Sequence, residues 1–208
     1  GRAFTELLAL SAPAGYRAAA RDDRAFDVTT GWAGVGWIPR PGARLELEAT
    51  RQDSATQLYP YLQMDASRDD ATRARATYRA EGAGSRVVSV VGSLGWSRVE
   101  HDMDDRLRVS SSAAPLAYSM ATQARSEDWS ARGEIALTGG FAVGAESQRR
   151  EWDATTRMAG MAYRAQASLP GVRQESTALY AELARPLGGK LTFEAGLRAA
   201  TLLRQAHR

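Results

Sequence analysis

The residues with the clearest chemical potential lie in the stretch Val99-Glu100-His101-Asp102-Met103-Asp104-Asp105-Arg106. An imidazole and a thioether two positions apart suit a soft transition metal, copper(I) above all. On an extended backbone both side chains point to one face, whereas a helix would turn them about 200° apart. The same pair also fits an exposed loop histidine followed by a packing methionine. Asp102, Asp104 and Asp105 supply carboxylates, but no nucleophile accompanies them. Aspartates after a methionine suit a turn, an oriented ligand or weak calcium binding better than acid–base catalysis. The chain contains no cysteine, which excludes disulfides, thiol nucleophiles and thiolate metal sites within it. Met64, Met103, Met120, Met158 and Met161 fall in or beside long polar connections. That is unusual for a residue that normally fills apolar space, and a funnel for a soft metal would use it. Gly92-Ser93-Leu94-Gly95 is no phosphate loop, because it neither leaves a strand nor opens a helix.

The elements that must position these residues alternate with period two rather than 3.6. Leu191, Phe193, Ala195, Leu197 and Ala199 oppose Thr192, Glu194, Gly196 and Arg198. Leu45, Leu47 and Ala49 oppose Glu46, Glu48 and Thr50. Thr72, Ala74, Ala76 and Tyr78 oppose Arg73, Arg75 and Thr77, and Trp129, Ala131, Gly133, Ile135 and Leu137 oppose Ser130, Arg132, Glu134 and Ala136. Candidate strands are 14–22, 26–38, 43–52, 70–80, 86–101, 120–137, 141–148, 175–184 and 190–202. Turn chemistry marks short connections at Pro39-Arg40-Pro41-Gly42, Glu81 to Ser85, Thr138-Gly139-Gly140 and Pro186 to Gly189. Long connections span Asp53 to Asp69, Asp102 to Ser119 and Gln148 to Gln174. Short and long connections alternate strictly, so all the long ones lie at one end.

That layout is an all-β antiparallel meander forming part of a transmembrane outer-membrane barrel. A soluble sheet with one wet face accommodates two or three such strands but strains against nine with long loops at one end. Such a soluble protein would have its Leu45–Leu47 and Leu191–Phe193–Leu197 faces meeting in a core. The chain has 208 residues, a formal charge of +3 and 44% apolar residues, so it is neither disordered by composition nor marked by a basic face for nucleic acid. No run of 18 apolar residues is present for a membrane-spanning helix. Neither end carries a targeting signal or a finished terminus, and the expectation is an internal segment of a longer protein.

Three stretches carry a resemblance. They are Tyr59-Pro60-Tyr61-Leu62-Gln63-Met64-Asp65-Ala66-Ser67-Arg68-Asp69-Asp70-Ala71-Thr72, then Val99 to Arg108, then Gly144-Ala145-Glu146 through Arg150-Glu151-Trp152-Asp153-Ala154 with Leu169-Pro170-Gly171-Val172 and the strand Ala178 to Ala184. From about Tyr16 to Ala199 the chain resembles the barrel of TonB-dependent outer-membrane receptors, most of all the copper-type branch, which carries His-x-Met-Asp-Asn at the outer end of a barrel strand. Asp105 stands where that branch has Asn. The resemblance implies a barrel of about 22 strands filled by a plug, of which residues 1–208 are a partial segment. It implies transport rather than catalysis, in the outer membrane of a Gram-negative bacterium. His101 and Met103 would be copper ligands, completed by a Cys and a Met of the plug. Implied partners are outer-membrane lipid, the TonB energy-coupling complex reached through the plug, and a metal or metal-chelate substrate, with the full-length receptor a monomer and no nucleic acid bound. An iron-siderophore substrate is the alternative within the family. A small independent barrel, acting as a pore or an outer-membrane enzyme, is the alternative outside it.

On this reading Leu45, Leu47, Leu191, Phe193 and Leu197 face lipid, and Glu46, Glu48, Glu194 and Arg198 face the lumen. In the strand 86–101, Val88, Val90, Leu94 and Trp96 take one face. Ser89, Ser93, Gly95 and Ser97 take the other, and His101 and Met103 continue the serine face. Arg73, Arg75, Arg98, Arg132 and Arg198 are expected on or near the lumen. Trp32, Trp37, Trp96, Trp129, Trp152, Tyr78, Tyr163 and Tyr180 are candidates for interfacial girdles, with Trp152 and Tyr163 expected to pack within the longest connection.

Overall fold

The structure, a computed structural model, describes residues 15–18, 20, 24–82 and 84–206. Eight strands follow one another: β1 (Phe26–Arg40), β2 (Ala43–Gln57), β3 (Asp65–Glu81), β4 (Val87–Asp104), β5 (Met120–Leu137), β6 (Phe141–Met158), β7 (Gln166–Pro186) and β8 (Thr192–Ala206). Each pairs antiparallel with its sequence neighbours in a single sheet ordered β1 to β8. This is the expected meander. The first expected strand, 14–22, lies partly outside the described residues; within them Tyr16 makes only an isolated bridge to Arg108.

Short connections, residues 41–42, 82–86, 138–140 and 187–191, alternate with longer ones at 58–64, 105–119 and 159–165. Two of the longer ones are much shorter than the sequence suggested. The expected loops 53–69 and 148–174 are largely strand, because β2, β3, β6 and β7 continue past their apolar segments. Polar cross-strand contacts hold these extensions together: Arg157 Nη1 donates to Gln123 Oε1 at 2.8 Å, and the Thr122 and Thr156 hydroxyls lie 2.9 Å apart. With polar residues on both faces, the contrast that reveals a strand in sequence is lost. Pro170-Gly171 sits at a bulge, where Trp152 pairs with Val172 but Ala154 pairs with Leu169. At the short end the turn Gly139-Gly140 has φ of 87° and 79°. A Cβ at Gly140 would fall 1.9 Å from the Ala184 carbonyl oxygen, so only glycine fits.

Directly paired residues share a face, so register sorts the side chains. One row runs Leu45, Tyr78, Gly92, Gly133, Ala145, Leu179, Ala199; the next runs Glu46, Thr77, Ser93, Arg132, Glu146, Ala178, Ala200. Leu47, Phe193 and Leu197 fall on the apolar face, and Glu48, Glu194 and Arg198 on the polar face, as expected. Leu191 precedes β8. Side chains reach across an intervening strand on the polar face. Arg132 Nε donates to Tyr180 Oη at 3.2 Å and Tyr180 donates to Glu134 at 2.7 Å, both spanning β6. Arg198 pairs with Glu146 across β7. Such convergence belongs to the inner side of a curved sheet. Gly144 makes it possible, since a Cβ there would meet the Tyr180 ring at 2.1 Å.

Among the described residues no apolar core joins the two ends of the sheet. Five strands separate β2 from β8 in the order, and Leu94, Leu179 and Leu197 are 63%, 63% and 77% exposed. The soluble-sheet alternative required those faces to meet, and they do not. The clustered buried residues instead sit at the long-connection end, where Ala25 and Leu58 pack against Tyr16 and Leu107.

Candidate metal-binding site at the long-connection end

β4 runs through Asp104, so His101 and Met103 both lie on an extended strand rather than in a loop. Register puts them on the polar face with Ser93, Gly95 and Ser97. Their cross-strand neighbours are small or polar: Asp69 and Ala124 flank His101, while Ala66 and Thr122 flank Met103. His101 Nδ1 lies 3.4 Å from Asp69 Oδ1, and its ring centroid is 6.4 Å from that of Tyr59. Asp69 is held in turn by Gln57 Nε2, which also donates to Ser54 Oγ. The Tyr59 hydroxyl donates to Gln57 Oε1 at 2.9 Å, and burial, with Asp69 and Tyr61 adding to it, raises its pKa. With Nδ1 beside a carboxylate, Nε2 is the ring atom that could take up a metal.

The register also assembles a feature that no sequence motif marked. Met120 stands diagonal to Met103 on β5, one step beyond Thr122, and directly opposite Met158 on β6. Three thioethers on three adjacent strands therefore share the polar face with His101. These methionines lie within strand ends, not in loops, whereas Met64 and Met161 are in connections. Among the described residues no group of three or more His, Cys, Asp or Glu is gathered as for a metal ion.

The three aspartates after His101 part company. Asp102 takes the apolar-side register, where Arg68 approaches it at 3.6 Å. Asp104 is buried against the Arg106 guanidinium at 2.6 Å. Asp105 anchors the connection that follows. Its Oδ1 accepts the Ser119 and Met120 backbone N–H groups at 2.7 and 3.0 Å, and its Oδ2 accepts the Ser110 and Ser119 hydroxyls. Burial pushes this carboxyl up, but the four donors outweigh burial and leave its pKa below the usual range. Beyond it, Arg108 is fully buried and grips Asp65 with two bonds of 2.8 and 2.6 Å. Its guanidinium also donates to the Tyr59 carbonyl and stacks 3.9 Å from the Tyr16 ring centroid. Connections 58–64 and 105–119 are thus tied together beside the strand ends that carry His101 and Met103.

A family model for the β-barrel of TonB-dependent receptor-like proteins matches residues 13–202. The chain belongs to that family. No curated protein sequence matches it significantly. Among solved structures it is similar to one titled "Copper transporter OprC", with a TM-score of 0.73 and 19% sequence identity over 88% of this chain. At that identity the likeness speaks for the fold. The chain spans 30% of the length of that protein.

As a TonB-dependent receptor barrel the sheet lies in the outer membrane, with short turns periplasmic and long connections outside. Trp96 and Trp129 then form an outer girdle on the apolar face, 6.1 Å apart, both indoles donating to Glu127 Oε1. Trp37 and Tyr78 lie on that face near the periplasmic turns. Three other girdle candidates are not girdle residues: register turns Trp32, Trp152 and Tyr180 to the polar face. Trp152 is moreover part of β6, because the loop expected around it is strand. Tyr163 does pack in a connection, its ring edge-on to Tyr118 and its hydroxyl donating to the Tyr118 carbonyl. Arg73, Arg75, Arg132 and Arg198 face the lumen as expected, but Arg98 pairs in register with Thr72 and Glu127 on the apolar-side face. It lies two residues past Trp96, where that face has turned charged.

Proposed function

We propose that this chain is a segment of the barrel of a TonB-dependent receptor that admits copper, with His101 and Met103 as ligands at the lumenal mouth. The observation that carries the reading is the shared lumenal register of His101, Met103, Met120 and Met158, with Asp69 beside the imidazole. Imidazole and thioether together favour Cu(I), and a row of thioethers offers successive weak sites leading inward. The printed name of the structurally similar copper transporter points the same way. His101 and Met103 fill half a coordination shell, so the remaining ligands come from a plug in the parent receptor. The same plug would contact the TonB complex, which supplies the energy for passage. Residues 1–208 act as one partial-barrel unit in this scheme. The edges of β1 and β8 carry backbone groups that cost several kcal/mol each in hydrocarbon if left unpaired, and further strands would cover them. This favours a large receptor over an independent small pore.

Competition for Cu(I) against a calibrated chelator tests the assignment in the parent receptor. The wild type should hold Cu(I) more tightly than the His101→Ala/Met103→Ala double variant, with Met161→Ala close to wild type. Equal binding by wild type and double variant refutes the copper site and leaves an iron chelate as the favoured substrate.

A further inference from the structure

On the lumenal face Arg132, Arg150 and Arg198 each hold a carboxylate, those of Glu134 at 2.9 Å, Asp128 at 3.1 Å and Glu146. Arg73 and Arg75 do not. Both stand exposed on the lumenal side of β3, and among the described residues neither makes an ion pair or a hydrogen bond. Register flanks Arg73 with Thr50 and Ser97, and Arg75 with Glu48 and Gly95. Glu48 stands opposite Arg75 without pairing with it. Asp128, the next acid along the Arg73 row, is taken by Arg150 and by Gln148 Nε2 at 2.8 Å. β4 brings only Ser89, Val91, Ser93, Gly95, Ser97 and Val99 to this part of the wall, so it supplies no countercharge.

The two guanidiniums border a lumenal cavity of about 310 Å³. Gly95 is its floor. A Cβ there would fall 2.6 Å from Ser130 Oγ, so the Ser130 hydroxyl leans from β5 over β4, toward the arginines of β3. The hydroxyls of Thr50, Ser97 and Ser130 therefore surround the same space as the two unpaired cations.

That donor set suits an oxyanion. A guanidinium fork takes a carboxylate with two parallel bonds, and the hydroxyls can donate to its remaining lone pairs. Residues two apart on a strand lie about 7 Å apart, so one small molecule with two carboxylates can engage both forks. Such a dianion also competes better than a monoanion with Glu48, because its second contact is intramolecular. We propose that the Arg73–Arg75 cavity binds a small dicarboxylate. Ser97 is four residues from His101, which places the cavity about 13 Å along β4 from the imidazole, toward the short turns. An anion held there offsets the positive charge that a cation would meet on passing this wall.

The test is calorimetric titration of the metal-free parent receptor in detergent with succinate, acetate and uncharged succinamide. Wild type should bind succinate saturably and at least ten-fold more tightly than acetate, with no binding of succinamide. Arg73→Gln/Arg75→Gln should lose at least ten-fold in succinate affinity, since each arginine supplies a charge-assisted pair. Gly95→Ala keeps every charge but displaces the Ser130 hydroxyl, and should cost several-fold. Arg149→Gln, on the outer face, should bind as wild type. If the double variant fails to insert, the single Arg73→Gln and Arg75→Gln variants should each lose several-fold. Absence of saturable succinate binding by wild type, equal affinity for acetate, or undiminished binding by the arginine variants overturns the proposal. No metal is present in the titration, so its outcome is separable from the copper assignment.

Discussion

The pairing of Arg108 with Asp65 predicts a specific, large and non-additive response to mutation. Arg108 is wholly buried and the Asp65 side chain is 4% exposed, so each charge is neutralised almost entirely by protein. Asp65 Oδ1 accepts from Tyr16 Oη at 2.9 Å and from the Tyr59 N–H at 2.8 Å in addition to the arginine. Replacing Arg108 by Met keeps the bulk of the side chain but leaves a buried carboxylate with only those two neutral donors. Breaking one partner of such a pair costs about 3–5 kcal/mol, a change of roughly one hundred to several thousand-fold in local opening. Replacing both partners, as Asp65→Leu/Arg108→Met, removes the stranded charge and should recover most of that loss. Hydrogen exchange of the parent receptor in detergent provides the assay. Amides of 58–64 and 105–119 should exchange much faster in Arg108→Met, and near the wild-type rate in the double variant, while β5 stays protected throughout. Equal opening in the single and double variants would mean that the pair does not clamp these connections.

Three further outcomes follow from the site. Asp69→Asn should weaken Cu(I) binding by the parent receptor about 10- to 100-fold, the usual cost of losing a carboxylate that orients a histidine ligand; unchanged affinity in a chelator competition would remove Asp69 from the site. Asp105→Asn should leave connection 105–119 anchored, because an amide oxygen can accept the two N–H groups and the hydroxyls can turn to accept from the amide, whereas Asp105→Ala strands four donors. The folded pKa of Asp105 lies below its unfolded value, so its contribution is complete above about pH 4 and disappears as the pH falls through the folded value; peptic cleavage within 105–119 should therefore rise on acidification more steeply in wild type than in Asp105→Asn. Gly144→Val should displace the Tyr180 ring, breaking the Arg132–Tyr180–Glu134 bridge across β6 and lowering the heat resistance of the inserted receptor; an unshifted melting curve would show that the lumenal bridge adds nothing to stability.

What could be read from the sequence was whatever the bilayer imposes. Leu45, Leu47, Phe193 and Leu197 alternate with charged residues because one face must meet hydrocarbon and the other water, and that contrast locates strands, turns and faces together. Above the membrane the contrast vanishes. Arg149 to Arg157 and Gln166 to Glu175 carry polar residues on both sides, so two long strand extensions read as loops. The same loss of contrast misplaced Arg98, whose face carries the apolar Trp96 on one side of it and the charged Glu100 on the other.

The candidate site was half legible for a related reason. His101 and Met103 are two residues apart on one strand, and spacing alone reports that they share a face. Asp69, Met120 and Met158 join them only through the register of β3, β5 and β6, which depends on the lengths of three connections. Asp69 lies in the unbroken register of β3, whereas beyond a bulge between Ala66 and Arg68 the pairing is offset by one residue, so that Ala66 rather than Ser67 stands opposite Met103. The offset lies beside Asp65, the residue that Arg108 grips. The buried ion pair thus fixes the outer end of β3, opposite Met103, and through the Tyr59 carbonyl it also holds the connection whose Tyr59 ring lies against His101. Loosening the clamp should therefore disturb the surroundings of Met103 and of the Tyr59 ring beside His101 as well as the loops, so Arg108→Met is expected to reduce Cu(I) affinity in the parent receptor without touching any proposed ligand, and Asp65→Leu/Arg108→Met should restore it together with the protection of residues 58–64.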